Sequence, residues 1–123
     1  PAMAEIRRAQ RLEELQALVR HSDPDQRAKV PRDPVATAEM LVALASDTDE
    51  TVRVAAATSG RLRSDLAERL ATDPASAVRA AVAACETTTG PVLAALRKDP
   101  DRKVASAAKA NPSCPRSFWD RLF

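Results

Sequence analysis

One phrase is written three times in this chain, and it constrains the fold more than any other feature. "DTDETVRVAAAT" occupies 47–58, "DPASAVRAAVAA" 73–84 and "DPDRKVASAAKA" 99–110. With Asp as the first position, the phase runs Asp23, Asp47, Asp73, Asp99, in successive steps of 24, 26 and 26. The residue five places on is Ala28, Val52, Val78 or Val104. Three places before the next Asp stand Leu44, Leu70 and Leu96, and Leu122 keeps that place in the last unit. Fixed self-similarity at such a period is the mark of a repeat architecture, in which no unit can bury its apolar face alone.

Each unit carries two helical stripes. Val78, Ala81, Val82 and Cys85 follow i, i+3, i+4, i+7, and Val52, Ala55, Ala56 and Val104, Ala107, Ala108 repeat the pattern. A shorter second piece is marked by Met40, Leu41, Leu44, by Leu66, Ala67, Leu70, by Val92, Leu93, Leu96 and by Phe118, Trp119, Leu122. Asp followed by Pro predicts a helix start, with Asp as cap and Pro at the first helical position. The stretches at 32–37, 59–64, 86–91 and 111–116 hold the turn formers between the pieces. Pro31 falls inside the first helix of unit one, so that helix is expected to be a single turn or kinked.

The reading is an all-α, right-handed α-solenoid of four two-helix repeats, at 23–46, 47–72, 73–98 and 99–123. Residues 1–22 form an N-terminal capping helix, all in one domain. In that helix Ile6, Ala9, Leu12, Leu15, Leu18 and Val19 make the apolar stripe expected to cover the open end of the stack. Composition agrees: aromatic content is 2%, there are two Gly, and Ala dominates. Small side chains suit closely approaching helices better than a β-sandwich. Phe118, Trp119 and Phe123 cluster where the chain stops. They either fold back on the fourth unit, precede a continuation, or form an apolar patch for a partner.

The units resemble the variant leucine-rich repeat, whose pattern runs D-P-x-x-x-V-R-x-A-V-A-x-N-P-x-x-P-x-x-x-L-x-x-L. Residues 73–84 match its first half, and "NPSCP" with Leu122 matches its second. The resemblance covers 23–123. It implies a right-handed superhelix of alternating α and short 3₁₀ helices, similar in logic to HEAT-type repeats, and no catalytic activity. Some members of that family carry a cysteine-rich iron–sulfur segment. Cys85 and Cys114 are the only cysteines here, so no cofactor is expected. They read as two free thiols in a reducing compartment.

The residues offer little catalytic chemistry. His21 is the one histidine, and two Gly cannot build a phosphate loop. No zinc set can be composed around His21. No apolar run approaches membrane-spanning length, so the chain reads as cytoplasmic with no membrane partner. The candidate binding residues are cations and rings. Lys29, Arg53, Arg79 and Lys103 adjoin the apolar anchors and would line up as a ladder along a stack. They serve either an acidic or phosphate ligand, or Arg–Asp pairs that tie neighbouring units together as HEAT-type repeats do. Arg61 and Arg63 have no repeated equivalent, and Phe118 and Trp119 complete the set. The expected role is a non-enzymatic protein- or peptide-binding scaffold. The alternative is a nucleic-acid binder using the Arg/Lys stripe, although a net charge of +2 leaves no strong polyanion footprint.

Overall fold

A computed structural model describes residues 2–114. It is helical throughout, with no strand among the described residues. The elements are α1 (Ala2–Val19), α2 (Pro24–Arg27), a 3₁₀ turn (Val30–Arg32), α3 (Ala38–Leu44), α4 (Glu50–Ala57), α5 (Ser64–Leu70), α6 (Ser76–Ala84), α7 (Gly90–Leu96) and α8 (Arg102–Ala110). The chain divides into two compact units between Ser59 and Gly60. No helix among the described residues is long and apolar enough to cross a membrane.

In the first unit, α1 packs on α2, the 3₁₀ turn and α3, while α4 packs on α2, the 3₁₀ turn and α3. The core is Leu15, Val30, Leu41, Leu44, Val52 and Ala56, none more than 3% exposed. Pro31 acts as the sequence predicts. A proline ring cannot donate to an α ladder, so α2 stops after one turn and the chain continues as the 3₁₀ turn.

The stripe of α1 is only half used. Leu15 is buried and Leu12, Leu18 and Val19 are half-buried, but Ile6 is 49% exposed and Met3 63%. A helix the length of α1 runs about 27 Å at 1.5 Å per residue, whereas α3 has seven residues. The amino-terminal half of α1 therefore overhangs the short elements it packs against.

In the second unit, α6 packs on α8, α7 on both α6 and α8, and α5 on α6. Val78, Val82, Leu93, Val104 and Ala108 are fully buried. Asn111 joins the ends of α6 and α8. Its Nδ2 donates to the carbonyls of Ala83 (2.9 Å) and Cys85 (2.8 Å), while its Oδ1 accepts from the Ser113 N–H (2.9 Å). Two carbonyl partners fix which end of the amide carries nitrogen. In the α6–α7 connection, the buried Thr88 hydroxyl donates to the Val82 carbonyl at 2.8 Å.

The helix starts correct the expected phase. Only Asp23 caps as anticipated, accepting from the Asp25 N–H with Pro24 at the first helical position. Elsewhere the cap falls two places after the repeated Asp, on Asp49, Ala75 and Asp101. Asp47, Asp73 and Asp99 instead accept from the backbone N–H two places on, at 2.9, 2.9 and 2.8 Å. Each closes an Asx turn that leads into the helix. In the first unit that bond is made by His21, whose Nδ1 accepts from the Asp23 N–H at 2.9 Å. The spacing is thus 26 throughout, His21 to Asp47 to Asp73 to Asp99. Asp23 aligns instead with the caps Asp49, Ala75 and Asp101, which removes the step of 24.

The corrected register aligns the buried residues as well. Leu15, Leu41, Ala67 and Leu93 fall 26 apart, as do Val30, Ala56, Val82 and Ala108, and all eight are buried. The carboxyl-terminal half of α1 thus holds the sequence place of a second helix.

Candidate functional site

The corrected register decides which cations recur. Arg27, Arg53 and Arg79 each lie six places after the Asx-turn residue. Arg27 donates from Nε to Asp47 Oδ2 (2.8 Å) and from Nη2 to Asp47 Oδ1 (3.0 Å). Its Nη1 reaches back to the carbonyls of His21 (2.8 Å) and Ser22 (3.1 Å). Arg79 does the same, from Nε to Asp99 Oδ2 (2.8 Å), from Nη2 to Asp99 Oδ1 (3.3 Å) and from Nη1 to the Asp73 carbonyl (2.7 Å). Arg53 directs Nη1 to the carbonyls of Asp47 (2.8 Å) and Thr48 (3.2 Å).

A planar guanidinium suits this work. One edge takes a carboxylate through two parallel N–H donors, and the remaining nitrogen reaches the carbonyls of the turn. Both pairs are largely shielded, with side-chain exposures of 15% and 11% for Arg27 and Asp47, and 16% and 7% for Arg79 and Asp99.

The electrostatics follow. Burial pushes the Asp99 carboxyl up, but the Arg79 guanidinium and the Asp101 N–H more than offset it, leaving Asp99 below the usual carboxylate value. Hydrogen bonding to Asp47 raises the Arg27 guanidinium. The Thr51 hydroxyl and N–H lower Asp49.

The other expected site residues lie as follows. Lys29 is not in the Arg27–Arg79 register. It is exposed, and its Nζ donates to Gln26 Oε1 at 3.2 Å. Lys103 is also out of register, because the equivalent place in the unit after Arg79 is held by Ala105. Lys103 lies exposed in the first turn of α8, where its backbone N–H meets Asp101 Oδ1 at 2.8 Å. Arg61 and Arg63 are exposed on either side of the buried Leu62. Arg63 Nη2 pairs with Asp65 Oδ2 at 2.9 Å, and that contact lowers the Asp65 carboxyl. Phe118 and Trp119 lie outside the described residues.

Cys85 and Cys114 are not joined in a disulfide, both are half-buried, and Cys85 Sγ lies 3.1 Å from Thr87 Oγ1. Among the described residues no three His, Cys, Asp or Glu side chains come together as a metal site.

Sequence reasoning missed Arg27, His21 and Asn111. The signal for the first two was a count of one full repeat back from Arg53 and Asp47. Asn111 was read only as a turn former, because its carbonyl partners lie 26 and 28 residues away.

A hollow of about 340 Å³ is lined by Ala94, Arg97, Lys98 and Lys109, at the ends of α7 and α8. Beside it runs a groove of about 450 Å³ between α5 and α7, with Ala71, Pro91, Ala95 and Leu96 in its walls. Lys98 lines both.

Comparison with protein-family models, with curated proteins and with solved structures finds no match to this chain.

Proposed function

We propose that the chain is an α-solenoid of variant leucine-rich repeats and that it serves as a non-catalytic module binding a protein or peptide partner. One observation carries the reading. The same hydrogen bond, from a backbone N–H to the side chain two places before it, recurs at His21, Asp47, Asp73 and Asp99, and the same Arg–Asp fork appears at Arg27 and Arg79. A bond that returns at the same place in each unit belongs to the scaffold. The repeated polar residues are then spent on holding units together, and the variable exposed residues are left for recognition. Stacked helical units present an extended surface, which suits a macromolecule better than a small substrate.

A stripe of Arg and Lys for nucleic acid is the second reading. It is weaker because Arg27 and Arg79 already direct two edges of the guanidinium to Asp47, Asp99 and turn carbonyls. The test is affinity capture from native lysate with the full chain, followed by pairwise titration of each purified partner. Saturable one-to-one binding supports the module. Clean monomer behaviour with no partner captured overturns it. Duplex binding that weakens steeply with added salt would favour the second reading.

A further inference from the structure

The repeat marks which cations stand outside its recurring pattern. In the corrected register, Arg97, Lys98 and Lys109 correspond to Ala71, Thr72 and Ala83, and one step earlier to Ala45, Ser46 and Ala57. Both earlier sets are small and uncharged. A further step back stand Val19, Arg20 and Pro31, so the place of Lys98 carries a cation once more, at the end of α1, and the three charges come together only around α7 and α8. Helix ends alone do not explain them. Cations do favour a helix carboxyl terminus, yet α3 ends with no basic residue in its last turn.

The local balance is one-sided. Residues 90–114 hold Arg97, Lys98, Arg102, Lys103 and Lys109 against two acids. Asp99 is paired with Arg79, and Asp101 caps α8 through the N–H groups of Lys103 and Val104. The three cations line the hollow together with Ala94, and Lys98 and Lys109 are exposed.

Resting on the module reading above, we infer that this surface is the binding site for an amphipathic acidic segment of a partner protein. The segment's apolar side chains would occupy the α5–α7 groove, and its Glu or Asp residues would enter the hollow. The junction at Lys98 places an apolar channel directly beside a cationic end. A nucleic-acid backbone has a use for the second feature only. Glu68 and Asp99 both line the groove, with the Asp99 charge taken up by Arg79, whereas the charged residues lining the hollow are all cations, so a partner's acidic end is directed toward Arg97, Lys98 and Lys109. Charge complementarity of this kind fixes orientation and speeds encounter more than it adds affinity.

The test uses the full chain and a fluorescein-labelled amphipathic peptide of three to four helical turns, with Leu at every third or fourth position and Glu elsewhere, followed by anisotropy at low salt. The peptide should bind, its Glu→Gln counterpart should bind about tenfold more weakly, and added salt should weaken the former. Lys98→Glu with Lys109→Glu should lower affinity about tenfold or more, as should Ala95→Glu in the groove, each with an unchanged circular-dichroism spectrum. Arg7→Glu with Arg8→Glu, on the exposed half of α1, should change it less than about twofold.

Equal loss in the α1 variant, or equal binding of the Gln peptide, overturns the assignment. Tighter binding of a single-stranded oligonucleotide, lost in the same Lys variants, makes this a nucleic-acid site instead. A concentration-dependent dimer abolished by those variants assigns the surface to a second copy. No peptide binding, with Lys98→Glu and Lys109→Glu lowering the melting temperature, shows that the cations serve the chain itself. If a captured partner still binds the Lys and Ala95 variants at full affinity, this site falls while the module reading stands.

Discussion

Replacing Asn111 by Ala removes three hydrogen bonds at one point. The carbonyls of Ala83 and Cys85 lose their Nδ2 donor, and the Ser113 N–H loses its acceptor. Asn111 is 7% exposed and the bond to Ala83 is buried, so water does not simply replace the amide there. A buried polar group left without a partner costs about 1–3 kcal/mol, and a partly exposed one less. The sum for Asn111→Ala is about 2–4 kcal/mol. Urea unfolding followed by circular dichroism reads this as a midpoint lowered by roughly 1–2 M, for a slope of about 2 kcal/mol/M.

Asn111→Asp separates the two halves of the interaction. It keeps the oxygen that accepts from Ser113 but turns a carboxylate toward two carbonyls, so it should be at least as damaging as Ala. Loss of under about 0.5 kcal/mol in Asn111→Ala would refute the argument, that being the size of an ordinary surface change. Wild-type stability in Asn111→Asp would show that only the turn, and not the tie between α6 and α8, matters.

The corrected register makes its own prediction: Arg27→Ala lowers the melting temperature, while Lys29→Ala leaves it unchanged, and the reverse order would restore the phase set from Asp23. Asp99 has a depressed pKa, so its contribution is complete above its unfolded value of about 3.9 and is lost as pH falls through the lower folded value. Asp99→Asn should therefore cost about 2 kcal/mol at neutral pH and flatten the loss of stability below about pH 4, whereas an acid limb parallel to wild type would contradict this. Gly60 holds φ at +77° with open space where a Cβ would stand. Gly60→Ala should then cost about 1 kcal/mol from backbone strain alone and Gly60→Asn less, and calorimetric melting that ranks Asn below Ala would argue otherwise.

Periodicity was enough to reveal the helical class and most of the core. Val52, Val78 and Val104, and Leu44, Leu70 and Leu96, were legible as anchors because burial on one helix face imposes an apolar residue at a fixed step. The single-turn α2 was legible from Pro31, since proline's missing donor acts locally. The two Arg–Asp pairs were half legible. Its chemistry was visible in the repeated pairs, but the first unit was placed two positions out of phase because His21 stands where the others have Asp. That substitution has a physical reason. The turn needs only an acceptor, and an imidazole nitrogen supplies one.

The amino-acid sequence alone determined what local rules can determine: helices, their apolar faces, the break at Pro31 and the period of the repeat. Tertiary structure decided which polar atoms meet. It moved the caps from Asp47 and Asp99 to Asp49 and Asp101, gave Arg27 the place assigned to Lys29, and tied Asn111 to two carbonyls of the preceding repeat. It also left half of the α1 stripe exposed and brought Arg97, Lys98 and Lys109 around one hollow. Each of these depends on the directions of side chains from separate elements. Hydrogen bonds and charges act over a few ångströms in space, whereas the sequence records only distance along the chain.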